Sequence, residues 1–575
     1  MHDSPPDAIA RGRARLVDWR SQASTAWYRD NAALQACVRH FAPHLEDADH
    51  AALAHLGDAV GQAEPLVHRC SHDPYLPVLE RFDHLGRRHE RVRFDGAYHQ
   101  WGEIVYGSGV MSKTGQLGQA VAQAAQVILL GHHGEAGHVC PLACTAGLIL
   151  ALQRVGHPAL QQALLPGLTA PDYARRLHGA QFLTEVQGGS DVGAHATSAR
   201  LLQAGSEALP PRWSIHGEKW FCSVIDAPLY LMTARPQGAP SGTRGLGMFV
   251  VPHDLAHGDA IDVQPLSHRL FDAPRPVNHM QIRRLKHKLG TRAMASGEVD
   301  WDGAVAWQLG DLERGFAHVV EIVLNTSRLF NAMACAGMMW RSWREAAGFA
   351  MAREAFGQPI AQFAAVDRAV AQLYAEAVAA TASTLDLVAL GETGRHPAAL
   401  RLGLNMNKYW TSVRATQMLR LGMEVLGGNG AIEDFSPLGR LYRDAMVTES
   451  WEGTHNVLVA QTQRDLHKLR LHEDWLAWLA PRVAATAGPL RTPLDARLER
   501  LARLANELLG RSDEAVTLAL RSWIEEAMVL HQATCLAELA HPPIAAFPAD
   551  VAALLLDCHP LQAAGELRGW WPRPR

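Results

Sequence analysis

The hydrophobic period of this chain changes twice, and that double change sets what it can fold into. From Ala33 to about Leu177 apolar residues recur at helical spacing, in Ala/Leu-rich segments such as Leu117–Leu130 and Pro158–Leu168 that Gly and Pro interrupt. Near Gln181 the texture turns to short alternating runs, Trp213–Ile215, Leu229–Thr233, Gly247–Val251, Met280–Arg283 and Val299–Trp301, parted by Gly, Pro, Asp and Asn. A period of two between turn residues predicts the strands of a compact β unit. After Glu313 helical spacing returns and holds to the end, so the predicted order is helix, sheet, helix.

Composition narrows the classes. At 48% hydrophobic and 19% charged residues the chain carries enough apolar material for several cores and is not disordered. A formal charge of -4 argues against a protein that is basic throughout. The N-terminus, MHDSPPDAIARGRARLVDW, has no apolar leader run, and the longest apolar stretch, Val139 to Leu152, is too short to span a bilayer. No membrane partner is expected. The eight Cys show no CxxC pair and no disulfide framework, which predicts a reduced, cytoplasmic protein.

Beyond Arg464 the chain reads as an added helical unit. Thr492-Pro493 predicts an N-cap with Pro at the first helical position, followed by Asp495 in the first turn. Leu494, Leu498, Leu501, Leu504 and Leu508 form one face and Gly510 ends the segment. From Arg464 onward the chain holds 13 Lys/Arg against 14 Asp/Glu, so the tail is not basic and its Leu stripe reads as a packing surface.

Four segments carry chemistry, and each also has a plain structural reading. Phe182-Leu183-Thr184-Glu185-Val186-Gln187-Gly188-Gly189-Ser190-Asp191 sets two hydroxyls about a Gly pair, a loop that lets a ligand approach the backbone or an ordinary polar turn. Lys219-Trp220-Phe221-Cys222-Ser223 sets an aromatic pair before a hydroxyl, suited to a flat ring or to a barrel core. Arg353-Glu354-Ala355-Phe356-Gly357-Gln358-Pro359 reads as a break between two helices, with Arg353 on the preceding helical face. In the fourth, Gly427-Gly428-Asn429-Gly430 offers open backbone amides or a helix C-cap. About two dozen residues later, Trp451-Glu452-Gly453-Thr454 sets a carboxylate beside a bulky aromatic, which raises its pKa towards that of a general base; a solvated helix end is the alternative.

In this order and spacing the segments resemble the acyl-CoA dehydrogenase superfamily of flavoproteins over roughly residues 100 to 465. Lys288-Leu289-Gly290, Gly297-Glu298-Val299 and the helix with Arg328 add to the resemblance. The wording QGGSDV, KWFCS, RLKHKLGTRAMASGEV and SWEGTHN is most similar to the AidB-like branch, which carries an extra C-terminal helical domain.

The resemblance implies a mainly α fold: a helical N-terminal domain (1–180), a middle β barrel (181–307), a C-terminal four-helix bundle (308–464) and an additional helical domain (465–575). It implies FAD. By position Thr184 and Ser190 would bond the flavin and its phosphates, Trp220, Phe221 and Ser223 would flank the isoalloxazine ring, and Thr454 and Asn456 would meet the cofactor beside the base. Phe182, Gly189 and Trp451 complete the implied cofactor wall. Arg353, Gly427, Gly428 and Asn429 would reach FAD held mainly by a neighbouring subunit, which implies a dimer or tetramer. Glu452 would take a proton from the carbon next to the carbonyl of an acyl-CoA or related thioester, while the next carbon delivers hydride to flavin N5. Relatives with the base on an earlier helix place it just before the Arg matching Arg328; here that residue is Ser327, so Glu452 keeps the role. Trp220 stands one place earlier than the usual flavin-strand Trp, and Ala364 replaces a frequent Gln; both fit the AidB-like branch.

An α,β-desaturating dehydrogenase of fatty acid metabolism, with electron-transfer flavoprotein as an acceptor, is the leading expectation. The alternatives are an AidB-like DNA-binding, alkylation-response flavoprotein with weak dehydrogenase activity, and an acyl-CoA oxidase. DNA would need a basic face, for which Arg491, Arg497, Arg500 and Arg503 are the candidates. His132, His133, Glu135, His138 and Cys140 crowd one stretch without a recognised ligand spacing, and no metal site is predicted there.

Overall fold

The computed structural model describes residues 5–256, 260–266, 275–540 and 550–561. The first helices are α1 (Pro5–Gln22), α2 (Ala32–Phe41), α3 (Asp47–Gln62), α4 (Glu64–Ser71), α5 (Gly96–Gly107), α6 (Ala120–Gly131), α7 (Val139–Val155) and α8 (Pro158–Leu168). Their starts are written locally: Asn31 accepts the Leu34 N–H, Asp95 accepts the Ala97 N–H, and Pro158 opens α8. The expected helix from Leu117 begins three residues later. Gly118 takes a φ of 77°, which an α-helix cannot continue, and Leu117 is left exposed.

A hairpin interrupts this helical region where the spacing predicts none, β1 (Val78–Phe82) against β2 (Arg88–Arg93). Its strands, VLERF and RHERVR, do not alternate apolar with polar residues, so they carry no strand period. Glu80 pairs with Arg93 across it at 2.6 Å.

The middle of the chain forms β3 (Gly179–Phe182), β4 (Ser198–Gln203), β5 (Arg212–Ser223), β6 (Leu229–Pro236), β7 (Gly247–Pro252), β8 (Met280–Leu285) and β9 (Ser296–Gln308). The pairings β6–β4–β5–β9–β7 return to β6, closing a five-stranded barrel, with β3 beside β6 and β8 beside β9. All five alternating runs lie within strands. The barrel has its own core, including Phe182, Cys222, Tyr230, Phe249 and Trp301.

Helical structure resumes with the short α9 (Gly315–His318), a π-helical turn over Val319–Leu324, and the long α10 (Asn325–Ala352). The hairpin β10 (Glu354–Ala355) and β11 (Gln358–Pro359) leads to α11 (Ala364–Thr393), α12 (Pro397–Val425), α13 (Leu438–Thr448) and α14 (His455–Leu469). α10, α11 and α12 pack on one another as a bundle, with α13 and α14 along α12. One described helix, α11, is long and apolar enough to cross a membrane; it is buried in this bundle.

The added unit is α15 (Leu471–Ala485), α16 (Arg491–Leu509), α17 (Asp513–Ala540) and α18 (Asp550–Cys558). It docks directly on the bundle. A Cβ at Gly403 of α12 would fall 2.6 Å from the Trp475 ring, so glycine there lets α15 lie close. Leu494, Leu501 and Leu508 are buried, with Leu498 and Leu504 packed beside them, as the stripe predicts. The expected cap does not form: α16 starts at Arg491, directly from a 3-10 turn over Gly488–Leu490, so Thr492 is already helical.

Candidate active site

One half of the site is built on the barrel. From the end of β3 the chain runs into a loop over 183–197, folded around a single carboxylate. Glu185 accepts the N–H groups of Ala196 (2.6 Å) and Thr197 (3.1 Å), the Gln187 amide (2.7 Å) and the ammonium of Lys219 (2.8 Å). The Lys219 and Glu185 side chains are 0% and 2% exposed. Burial alone would raise the Glu185 carboxyl; Lys219 and the surrounding donors overcome it and hold the group at about 2.

Loop and β5 meet where Trp220 N–H donates to the Thr184 carbonyl at 2.9 Å. Here β5 bulges. Lys219 faces Val299 and Cys222 faces Gly297, so Trp220 and Phe221 together oppose one residue of β9. The extra residue keeps both rings out of the barrel core, and Phe221 is 55% exposed. Lys286 lies 3.7 Å from the Trp220 ring centroid and 4.9 Å from that of Phe221. Ser223 Oγ meets Ser296 Oγ at 3.2 Å. A Cβ on Gly189 would fall 2.5 Å from Thr184 Oγ1, so glycine keeps that hydroxyl uncovered. An uncovered hydroxyl beside an outward aromatic pair fits a flat, polar-edged ring such as a flavin. Phe182, expected on this wall, is corrected: its ring is fully buried, stacked on Tyr230 at 4.7 Å. In β3 the side chains alternate, and this one takes the barrel side.

The other half is the turn between α13 and α14. Glu452 sits there at a φ of 54°, followed by Gly453 at 105°. A left-handed conformation costs a non-glycine residue about 1 kcal/mol or more, so its surroundings must hold it. Two buried cations do so. Arg328 of α10 donates from Nε to the Glu452 carbonyl (3.2 Å) and from Nη2 to Gln461 (2.9 Å). Lys408 of α12 donates to the carbonyls of Glu449 and Gly453, each at 2.9 Å. Burial pushes the Glu452 carboxyl up to about 7, with Arg328 and Lys408 pulling the other way.

Glu452 and Trp451 line a cavity between α7 and α10. Cys140, Ala143 and Cys144 form one wall, Ser327, Phe330, Ala334 and Met338 the other, with Glu135 on the same lining. Cys140 Sγ and Cys144 Sγ are 3.9 Å apart. The cavity has a volume of only about 20 Å³, room for about one water. An acyl group would have to part these side chains. Trp451 also packs against the barrel core, joining the two halves of the site.

The remaining expected contacts lie further out. Thr454 is the exposed N-cap of α14, with no bond from its own side chain to the helix. Asn456 Oδ1 accepts from Arg521 of α17 at 2.7 Å, so the added unit reaches this edge of the site. Arg353 is not on a helical face, which corrects the expectation: α10 ends at Ala352 and Arg353 is extended, leading into β10. It stands 26 residues beyond Ser327 along α10, about 39 Å at 1.5 Å per residue. Gly427 and Gly428 form an exposed 3-10 turn after α12, with Asn429 half-buried beside them.

The sequence reading missed Lys408, Lys286 and Arg521. Lys408 left one signal, as the lone charge between Arg401 and Arg414 of α12.

The histidines between 132 and 138 diverge. His132 bonds the Ile128 carbonyl, His133 that of Val60 and His138 that of Tyr98. Among the described residues one group brings metal-ligating atoms together, Asp386, His531 and Cys535. Arg482 bonds two of the three, Asp386 at 2.6 Å and Cys535 at 3.5 Å, and His531 bonds Asp386 at 2.7 Å, which makes the group a buried ion-pair network. In the tail Arg491 pairs with Asp495, Arg500 pairs with Glu526, and Arg497 donates to the His559 carbonyl. Each of these three arginines is thus engaged within the chain.

A mainly helical chain with a closed barrel, and a buried carboxyl on a turn whose Trp451 packs against that barrel's core, is the architecture of an acyl-CoA dehydrogenase. Residues 20–175 match the adaptive response protein AidB N-terminal domain, and residues 313–467 match the acyl-CoA dehydrogenase C-terminal domain. AidB of Escherichia coli (strain K12) is 30% identical over 461 residues, covering 77% of this chain and 78% of that protein. Acyl-CoA dehydrogenase family member 11 of Caenorhabditis elegans is 29% identical over 519 residues, 86% of this chain and 77% of the relative. The crystal structure of Caenorhabditis elegans ACDH-11 in complex with C11-CoA aligns with a TM-score of 0.79 at 25% identity, covering 93% and 91% of the two chains. The chain belongs to the acyl-CoA dehydrogenase family, on its AidB-like branch, and is an oxidoreductase of that type.

Proposed function

We propose that this protein desaturates an acyl-CoA between its α and β carbons, with Glu452 as the base and FAD as the electron acceptor. The observation that carries the reading is the buried Glu452 carboxyl at the wall of a mostly apolar cavity, on a turn whose backbone carbonyls two buried cations hold. Thr184, Gly189, Ser190, Trp220, Phe221 and Ser223 would hold the flavin, and Thr454 and Asn456 would meet its outer part. When bound, FAD supplies the hydride acceptor at N5. Glu452 removes the α proton into a water-poor space, where a carboxylate is a stronger base than in solution. The Glu452 amide would donate to the thioester oxygen as that oxygen gains charge. A relative solved with C11-CoA supports an acyl-CoA as substrate. The length of α10 between Arg353 and the cavity-lining Ser327, about 39 Å at 1.5 Å per residue, supports Arg353 serving the FAD of a neighbouring subunit, with the exposed Gly427–Asn429 turn.

The test is anaerobic: add a panel of acyl-CoAs to the FAD-loaded protein and follow the flavin bands. Bleaching by a thioester supports the reading, and bands that no thioester changes overturn it. The rate should rise with pH through about 7, because the base works only when ionised and burial holds Glu452 near that value. A flat profile from pH 6 to 8, in the step that breaks the Cα–H bond, would remove Glu452 from the role.

Arg521→Ala tests the edge of the site. Losing the bond to Asn456 should weaken FAD retention about threefold to tenfold, the worth of one charge-assisted bond at a partly wet site, with little change in unfolding midpoint. Equal FAD affinity in variant and wild type would place Asn456 outside the cofactor contacts.

A further inference from the structure

We propose that Lys408 is a positioning residue for Glu452, its buried ammonium clasping the backbone on both sides of that residue. The side chain is fully buried in the middle of α12. A lysine in such a place needs compensation for lost hydration, and an ammonium offers three N–H donors. Two of them go to the carbonyls of Glu449 and Gly453, three residues before and one residue after Glu452. The turn is thus wrapped around one point charge, while Arg328 fixes the Glu452 carbonyl from α10. Between them the two cations account for the persistence of a left-handed glutamate.

The clasp also has an electrostatic side. Lys408 lies close enough to the Glu452 carboxyl to favour its ionised form, against the burial that disfavours it. The other charged or titratable groups around this pair are few. Arg328 of α10 acts in the same sense as Lys408, and Cys335 of α10 lies near the ammonium. Cys140 of α7 and Glu135, just before it, share the cavity lining. The Glu449 carboxylate is engaged by His455 and Thr416. Asp465 of α14 acts on Arg328 and binds Arg401. Lys408 is the one among these that touches the turn on both sides of the glutamate, so it couples the shape of the turn to the charge of the base.

This inference rests on Glu452 being the base, and two variants test it separately from that reading. Lys408→Gln keeps an N–H donor for the carbonyls and removes the charge. Lys408→Met keeps the volume and removes both. The midpoint at which Glu452 ionises is read from the infrared carboxyl band that disappears in E452Q, on the FAD-loaded protein without substrate. Both variants should raise that midpoint by about one pH unit, equal to about tenfold less ionised base at a pH below it. In flavin reduction by an acyl-CoA, Lys408→Gln should shift the acid limb by the same amount and keep most of the plateau, while Lys408→Met should lower the plateau as well. A wild-type midpoint in folded Lys408→Gln overturns the inference, whatever the thioesters do. A midpoint that shifts, in a protein whose flavin no thioester reduces, supports the clasp and sinks the desaturase reading instead.

Discussion

Glu452→Gln should bind FAD as the wild type does and reduce it at least about a hundredfold more slowly with any acyl-CoA that bleaches the wild type, the lower end of what a positioned base contributes. The variant isolates chemistry from structure. Glutamine has the same shape, and the contacts that hold this residue in place run through its carbonyl and its neighbours' carbonyls, to Arg328 and Lys408, and not through the carboxyl. Reduction at the wild-type rate would remove Glu452 from the mechanism. The next group to test would then be Glu135, a second carboxyl on the same cavity, which burial pushes up to about 7.

Lys219→Met should be the most damaging single change on the barrel side, lowering stability by about 3–5 kcal/mol, because it strands a buried carboxylate. The effect would reach the cofactor, since Glu185 gathers the loop that carries Gly189 and Ser190. Denaturant unfolding and FAD content should therefore fall together. Adding Glu185→Gln to the same chain should recover part of the loss, because the partner left behind is then neutral. An unchanged midpoint in Lys219→Met would show that water reaches the pair. The pH sign follows from the depressed carboxyl. Glu185 at about 2 lies below its ordinary 4.5, so its contribution is complete above about pH 4.5 and is lost as pH falls through about 2.

Much of this was legible locally. The change from helical to alternating spacing located the strands, because hydrophobic period reports which faces are buried, whatever lies opposite them. The β1–β2 hairpin escaped because its strands, VLERF and RHERVR, are rich in charge and carry no apolar period. Thr492 misled for a related reason. A cap residue signals that a helix can start there, and the preceding 3-10 turn had already started it.

The sequence by itself determined the order of the layers and the Leu face of the tail. What it could not determine is which side chains meet. Phe182 and Phe221 read alike as cofactor aromatics; strand alternation in a closed barrel buried the first, and a bulge turned the second outward. Arg328 and Lys408 reach Glu452 from 124 and 44 positions away in the chain, through the packing of α10 and α12 against one turn. Burial then raises the Glu452 carboxyl while those two charges restrain it, a balance that exists only once the helices have closed on the turn. Period and propensity act over a few residues, whereas desolvation and charge act through space, so the sequence could point to that carboxyl but only the tertiary structure decided its balance of burial and charge.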